Sequence, residues 1–331
     1  MRRYGFPAFK IALAALVLYA LWRHLASLYR EWASQGDAIR ALAIDGKWIV
    51  ASAASCLIGQ LFFACFWQRL LAILWDESSS ATQRNEHPST GAVIRSYAIG
   101  TVGKYVPGKA WVVLLRTGFL NPGPSNRFTV ALSILYETLF MMATGGLAAT
   151  LCLLPVEGPG AKFTFLGLAV FAAILSGLHP AVFGRLVRII SLPLCAAYAP
   201  SVIRKWFRTS LRAGWMSLAG WAFLGASAWS AAEGIGLSAA SPEGFFLFSG
   251  GSALATVLGF LVFLMPAGLG VRELVLIEIL TPRWGAAHAV ILALWIRTIW
   301  TAVEFFMAGG AWLDAARIRR RERPKSIPPH Q

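Results

Sequence analysis

The composition of this 331-residue chain excludes an ordinary soluble protein. Hydrophobic residues make up 57% of the chain and charged residues only 14%, whereas a soluble domain carries roughly 25% charged residues. The formal net charge of +15 would suit a nucleic-acid-binding protein, but the basic residues gather in the loops between apolar runs and in the tail, where they meet anionic lipid headgroups. We therefore expect an all-α integral membrane protein that binds no nucleic acid.

Six apolar segments have the length of full transmembrane helices, since a helix crosses the bilayer in about 20 residues. They are residues 8–29, 48–74, 128–153, 163–183, 213–236 and 285–312. The first segment resembles a secretory signal, but no A-x-A cleavage pattern follows its apolar run, so we expect it to remain uncleaved. We predict a single polytopic membrane domain, residues 1–316, followed by a short basic cytoplasmic tail, residues 317–331.

Two further apolar segments, residues 92–116 and 245–281, are interrupted by glycine, proline and charge. Six basic residues and no acid lie between residues 184 and 214, so that loop should be cytoplasmic, as should the arginine-rich tail. The chain returns to the cytoplasm at that loop only if residues 92–116 enter and leave the membrane on the same side. We therefore predict two re-entrant broken helices that enter from opposite faces, in a pseudo-inverted repeat with both termini cytoplasmic.

The first broken segment carries basic residues on both sides of a proline–glycine pair. Lys104 precedes Pro107-Gly108, and Lys109 and Arg116 follow it. Glycine lets a ligand approach the backbone closely, and a helix that restarts after the break points free N–H groups at whatever precedes it. A phosphate fits that geometry. The alternative is that the two lysines only extend to lipid headgroups at the membrane surface.

The second broken segment places an arginine and a glutamate side by side in apolar surroundings. Pro266, Gly268 and Gly270 come just before Arg272 and Glu273. Ionisable residues at membrane depth face the protein interior and pair with other groups. Because adjacent positions on a helix point about 100° apart, the two side chains cannot neutralise each other along one face. Each therefore needs a partner on another segment.

The candidate partners are the rare ionisable residues inside other apolar spans. We predict Glu137 or Glu304 as the partner of Arg272, and Arg297 as the partner of Glu273. In the functional interpretation these residues line a pathway and exchange partners during transport. In the structural interpretation they only cross-link helices and never touch a substrate.

No pattern in the chain predicts an enzyme. The four aspartates are scattered, without the D-x-D or D-x-x-D spacing that holds Mg²⁺ against a diphosphate. The five histidines lack metal-ligand spacing, and neither H-E-x-x-H nor G-x-S-x-G occurs. The cysteines lie in apolar surroundings without a C-x-x-C pair. We therefore predict no catalytic residue, no metal site and no cofactor.

Around the two broken segments the sequence resembles the lysylphosphatidylglycerol synthase transmembrane-region family, whose members are flippase-like membrane proteins. The resemblance rests on G-K-Y-V-P-G-K-A-W at residues 103–111 with Arg116, Tyr136-Glu137, P-A-G-L-G-V-R-E at residues 266–273, and Arg297. The chain departs from the commoner family form at Trp111-Val112, where a Gly-Glu pair is usual, and at Glu137-Thr138 with Met141, where Glu-Arg followed by Asp is usual. The family's aminoacyltransferase domain is missing, so we expect no lysyl transfer.

The resemblance implies a lipid transporter of the bacterial inner membrane, whose substrate is an anionic phospholipid or an isoprenoid (polyprenyl)-linked lipid. No ATP site is seen, so movement would be passive or driven by a gradient. We predict the following substrate-binding residues: Lys104, Tyr105, Pro107, Gly108, Lys109, Trp111, Arg116, Glu137, Pro266, Gly268, Gly270, Arg272, Glu273, Arg297 and Glu304. The basic residues of the first segment would take the phosphate, and the second segment would supply a polar lining.

Two alternatives to a transporter remain at this point. One is an accessory subunit that holds a glycosyltransferase or a lipid-modifying enzyme at the membrane. Such a subunit would keep its function after Arg272 and Glu273 are neutralised. The other is a membrane enzyme that acts on a lipid-linked substrate, which would require an essential carboxylate or a divalent metal for turnover.

Overall fold

The structure is a computed structural model that describes residues 44–78, 87–106, 110–122, 126–156, 160–189, 200–237, 241–262 and 266–322. These residues form helices joined by short connections, and they contain no strand. The predicted first span (residues 8–29), residues 107–109 and the end of the basic tail lie outside the described residues. The predicted all-α class is therefore confirmed for the part of the chain that the structure describes.

Nine α-helices follow one another along the described ranges. They are α1 (Gly46–Ser78), α2 (Thr90–Val102), α3 (Ala110–Leu120), α4 (Arg127–Leu153), α5 (Gly160–Leu178), α6 (Pro180–Ile189), α7 (Pro200–Glu233), α8 (Pro242–Leu261) and α9 (Val271–Glu322). Two single-turn 3-10 helices, Gly103–Tyr105 and Pro266–Gly268, lie at the two predicted breaks. The long helix α9 is kinked at Gly285, whose φ of 77° is a left-handed value that suits glycine.

Four helices are long and apolar enough to cross a membrane. They are Gly46–Ile73, Arg127–Leu153, Pro242–Leu261 and Val271–Arg320. Three of them cover the predicted spans 48–74, 128–153 and 285–312. The fourth is the first arm of the second broken segment, which is by itself long enough to cross.

Two predicted spans have different bounds in the structure. The segment predicted at 163–183 is interrupted, since α5 ends at Leu178 and α6 begins at Pro180. The reason is local, because the residue before a proline is disfavoured in a helical conformation. The segment predicted at 213–236 lies within α7, which begins earlier, at Pro200, and is 34 residues long.

Both broken segments fold as helical hairpins. In the first hairpin, α2 and α3 run antiparallel on either side of the turn Gly103–Tyr105, and the Ser96 hydroxyl donates to the Arg116 carbonyl at 2.6 Å. In the second hairpin, α8 and the part of α9 before its kink run antiparallel on either side of the turn Pro266–Gly268. The two turns lie against each other. This contact brings together two breaks that are separated by almost half of the chain.

Small residues let the helices around the hairpins approach one another closely. A Cβ atom on Gly59 of α1 would lie 3.0 Å from the carbonyl oxygen of Gly220 in α7. A Cβ atom on Gly146 of α4 would lie 2.8 Å from the carbonyl oxygen of Gly167 in α5. Close backbone contact through small residues is typical of helix packing in membranes, where apolar surface alone does not favour helix association.

Candidate functional site

A cavity of about 480 Å³ is bounded by the two hairpins, by α1, α4 and α7, and by the part of α9 that follows its kink. Most of its wall is apolar. Its charged residues are Lys104, Arg116, Glu137, Arg272 and Glu304. Small-molecule sites usually occupy 300–1,000 Å³ and combine an apolar lining with a few polar groups. The cavity therefore has the size and lining of a site for a molecule with a polar end and an apolar remainder.

The cavity reaches the outer surface of the helix bundle between α3 and α4. Leu135 of α4 lines it and is 51% exposed, and Ala110 of α3 is exposed on the opposite side of the opening. Val113 and Met141, which lie further in, are partly exposed. An opening bordered by apolar side chains suits contact with hydrocarbon better than contact with water.

Arg116 is neutralised inside the protein. Its guanidinium forms an ion pair with Glu137 at 2.9 Å, and both side chains are almost completely buried. The same guanidinium lies 4.1 Å from the ring centre of Tyr97 and 4.7 Å from that of Trp67. These contacts compensate the burial of the charge through ion pairing and cation–π attraction. The arginine that the sequence assigned to phosphate thus has a carboxylate partner of its own.

Glu304 of α9 connects three parts of the fold. It accepts hydrogen bonds from Lys104 at 2.5 Å, from the Tyr105 hydroxyl at 2.7 Å and from the Gln60 amide at 3.3 Å. Glu304 is only 2% exposed. Its carboxylate therefore attaches the turn of the first hairpin to α9 and to α1, and it balances the charge of Lys104.

Glu273 is held at the turn of the second hairpin. Its carboxylate forms an ion pair with Arg297 and accepts the backbone N–H of Gly270 at 2.5 Å. A carboxylate in the first turn of a helix also interacts favourably with the helix dipole. The pairing of Glu273 with Arg297 confirms the partner predicted from the sequence.

Arg272 differs from the other cations of the cavity. Its guanidinium donates to the Thr256 hydroxyl at 2.7 Å and lies 5.9 Å from the ring centre of Trp300. Within the described ranges it forms no ion pair with a carboxylate. It is a partly exposed side chain on the wall of the cavity, and Glu304 and Glu273 attract its charge without forming an ion pair with it among the described residues.

The predicted partners of Arg272 are engaged elsewhere. Glu137 pairs with Arg116, and Glu304 pairs with Lys104. The prediction of a direct pair with either carboxylate is therefore wrong for this structure. The physical reason is proximity, since each carboxylate lies nearer to a cation of the first hairpin.

A second, much smaller cavity of about 30 Å³ adjoins the first at Arg272. The Arg297–Glu273 pair lies on its wall together with the hydroxyls of Tyr105, Ser252 and Thr256. The Ser252 hydroxyl is buried, and the structure gives it no hydrogen-bond partner within the ranges that it describes. Arg272, Thr256 and Glu304 line both cavities.

Other predicted residues have different positions. Trp111 is 45% exposed and does not line the cavity. Gly268 lines it, and its φ of 67° allows the sharp turn of the second hairpin. Pro266 and Gly270 belong to the same turn region. Residues 107–109, the predicted Pro107, Gly108 and Lys109, lie outside the described residues.

Sequence reasoning missed several residues of the site. Trp300 and Thr301 could have been predicted from the sequence, because they fall between Arg297 and Glu304 at the spacing that puts residues on one helix face. Thr256 could not have been predicted, since neutral hydroxyl residues are frequent at helix contacts in membranes and nothing in the sequence distinguishes this one. Its role depends on the hairpin that brings it to Arg272.

Comparison of the chain with protein-family models, curated proteins and solved structures finds no match. Among the residues that the structure describes, no three His, Cys, Asp or Glu side chains are grouped as ligands for a metal ion. The function is therefore inferred from the geometry and charge of the cavity itself.

Proposed function

We propose that this chain is a flippase-like membrane transporter that binds the headgroup of an anionic or isoprenoid-linked lipid between its two hairpins and moves it across the bilayer. The observation that carries the proposal is Arg272, a cation without a carboxylate partner in a largely apolar cavity. A charge held in apolar surroundings without a counter-charge is costly. The phosphate of a lipid headgroup supplies that counter-charge, and arginine binds it in a bidentate geometry.

The opening between α3 and α4 supports a lipid substrate. Leu135 and Ala110 lie on the two sides of that opening and give it an apolar border. A lipid headgroup would enter the cavity through it while the acyl or prenyl tails stay in the hydrocarbon. This arrangement avoids the cost of moving the tails through the protein.

The topology proposed with this function has two re-entrant hairpins that meet within the membrane. The 13 residues of α2 and the 11 residues of α3 span about 20 and 16 Å, less than the roughly 30 Å of the hydrocarbon core. The first hairpin would therefore enter and leave on one side, which the basic loop makes cytoplasmic. The second would enter from the other side, and α8, which is long enough to cross, would reach deeper than either arm of the first hairpin. Both termini would be cytoplasmic, in the inner membrane of a bacterium.

The polar links of the site suggest how access alternates. Glu304 attaches the turn of the first hairpin to the part of α9 that follows its kink. The Glu273–Arg297 pair attaches the turn of the second hairpin to that same part of α9. Weakening one link while the other holds would open the cavity towards one side of the membrane at a time. The movement would be a passive exchange or would follow a gradient.

The role of Arg272 can be tested with purified protein in liposomes that contain fluorescent phosphatidylglycerol. We expect Arg272→Ala to lower translocation by about tenfold or more, because a charge-assisted contact contributes roughly 1.5–3 kcal/mol. Arg283→Ala is the matched control, since Arg283 lies on the same helix but is exposed and pairs with Glu243 outside the cavity. Full activity of an Arg272→Ala, Glu273→Ala double variant would end the proposal.

The proposed topology can be tested with single cysteines in a variant that lacks the native cysteines. Cysteines at Ser80, Thr209 and Ser326 should be shielded from an impermeant thiol reagent in intact cells. A cysteine at Ser241 should react. Labelling at Thr209 from outside would contradict the re-entrant assignment of residues 92–116, because that assignment depends on a cytoplasmic position of the basic loop.

A further inference from the structure

The charges on the wall of the large cavity do not balance. Three cations and two carboxylates line it within the described ranges: Lys104, Arg116, Arg272, Glu137 and Glu304. Both carboxylates are in ion pairs, and Arg272 is the cation that remains. The formal charge of this wall is therefore +1. The neighbouring Glu273–Arg297 pair adds no net charge to it.

The surroundings of Arg272 provide donors for the oxygens of a phosphate. Thr256 is hydrogen-bonded to the guanidinium, and Ser252 precedes it by one helical turn, so both hydroxyls lie on the same face of α8. The Ser252 hydroxyl is buried and unpartnered among the described residues, and Ser252 lines the small cavity. A cavity of about 30 Å³ holds one or two polar atoms, not a headgroup.

We propose that the site selects lipids whose headgroup is attached through a single phosphodiester over lipids with a diphosphate link. This inference rests on the proposed function and specifies its substrate class. A phosphodiester carries one negative charge, which matches the +1 of the cavity wall. One of its free oxygens binds Arg272 and Thr256, and the other accepts the hydroxyl of Ser252.

A diphosphate link is disfavoured by the same charge balance. Its second negative charge would face Glu137 and Glu304, whose cations are already engaged. Binding would then require that Arg116 or Lys104 leave its carboxylate, which strands a buried charge. The cavity therefore discriminates by the number of charges rather than by the identity of the tail.

Glycerophospholipids and polyprenyl monophosphate sugars both contain the required phosphodiester. The experiment uses the full chain in a mild detergent and measures lipid binding by native mass spectrometry. The probes are phosphatidylglycerol, a polyprenyl monophosphate sugar, and the polyprenyl diphosphate carrying the same sugar and the same tail. We expect the monophosphate sugar to bind about tenfold more tightly than its diphosphate counterpart. Preference for phosphatidylglycerol or for the polyprenyl lipid then identifies the source of the phosphodiester.

Two pairs of variants test the charge balance and the hydroxyl separately. Glu304→Gln raises the charge of the wall to +2 and should shift the preference towards the diphosphate, whereas Glu243→Gln, outside the cavity, should not. Ser252→Ala should weaken binding of the phosphodiester by about two- to tenfold. Ser249→Ala is its control, because that hydroxyl is also buried and unpartnered in the described residues but lines neither cavity.

The outcomes separate this inference from the proposed function. If the protein binds none of the three lipids, the proposed function itself fails. If it binds lipid but takes the diphosphate as tightly as the monophosphate, the function stands and the charge selection is overturned. If Glu304→Gln does not yield a folded protein, the comparison of the two polyprenyl lipids still tests the charge selection. The Ser252→Ala variant still tests the hydroxyl contact.

Discussion

The two hairpins place an arginine in the same way and use it differently. In each hairpin the arginine lies on the returning arm, and its aliphatic stem packs over a glycine of the other arm. Arg116 packs over Gly100, and Arg272 packs over Gly259. In the first hairpin, however, Glu137 of α4 lies opposite the guanidinium and neutralises it. No carboxylate occupies that place in the second hairpin among the described residues.

We infer from this difference that one carboxylate separates an arginine with a structural role from the arginine proposed to bind a ligand. Arg116 is enclosed by Glu137 and two aromatic rings, so its loss should affect stability first. Among the described residues Arg272 forms no ion pair and contacts the Thr256 hydroxyl and the face of Trp300, while Glu304 and Glu273 attract its charge from further away, so its loss should affect binding first. The partner predicted for Arg272 was Glu137 or Glu304, so its removal would have left a buried carboxylate unpaired. In the structure Glu137 is paired with Arg116 and Glu304 with Lys104, so both keep an ion pair when Arg272 is removed.

The largest effect is expected at the first hairpin. Glu137→Ala should lower the free energy of unfolding by about 3–5 kcal/mol, because it leaves Arg116 buried without a counter-charge. Arg272→Ala should change stability by much less, since no described carboxylate loses its partner. Thermal unfolding of both variants in detergent measures the difference. A loss of stability for Arg272→Ala as large as that for Glu137→Ala would remove the distinction between the two arginines.

The next effect concerns the ion pair of the second hairpin. Arg297→Glu alone should destabilise the protein, because it places two carboxylates together beside the turn. The swap of Glu273→Arg with Arg297→Glu should restore most of the unfolding temperature that Arg297→Glu alone loses, but not lipid translocation. Glu273 also accepts the backbone N–H of Gly270, and an arginine cannot do so. Recovery of transport together with folding would show that the pair is only structural.

A moderate effect is expected from a methyl group beneath each arginine. Gly100→Ala and Gly259→Ala each place a Cβ against an arginine stem, and such overpacking typically costs about 1–3 kcal/mol. Gly259→Ala should also weaken lipid binding because it displaces Arg272. Gly118→Ala in α3 is the control, since nothing lies within 4 Å of the added carbon. Equal binding by the Gly259→Ala protein would contradict the role of Arg272.

The smallest effect is expected at the link between the first hairpin and α9. Tyr105→Phe removes one hydrogen bond to Glu304 and should cost about 1 kcal/mol. The cost stays small because Lys104 and Gln60 still hold the carboxylate. The translocation rate should change more than stability if this link controls opening. An unchanged rate would assign that control to another contact.

The sequence by itself determined the membrane class, the positions of the two breaks and most charged residues of the cavity. The physical reason is that ionisable side chains at membrane depth are too costly to face lipid. The interior could therefore be predicted as the location of four ionisable residues from their positions in apolar segments, namely Arg272, Glu273, Arg297 and Glu304. The interruption at Leu178 was not predicted, since residues 163–183 are predicted as one span, although Pro180 marks it in the sequence.

Tertiary structure alone decided which charge pairs with which. Lys104 and Glu304 are 200 positions apart, and Arg116 and Glu137 are 21 apart on different helices. Sequence offers several carboxylates for each cation, and an ion pair forms with the one that packing brings within about 4 Å. That choice left Arg272 without an ion pair among the described residues, and the proposed anion site rests on this arginine rather than on the basic residues of the first hairpin.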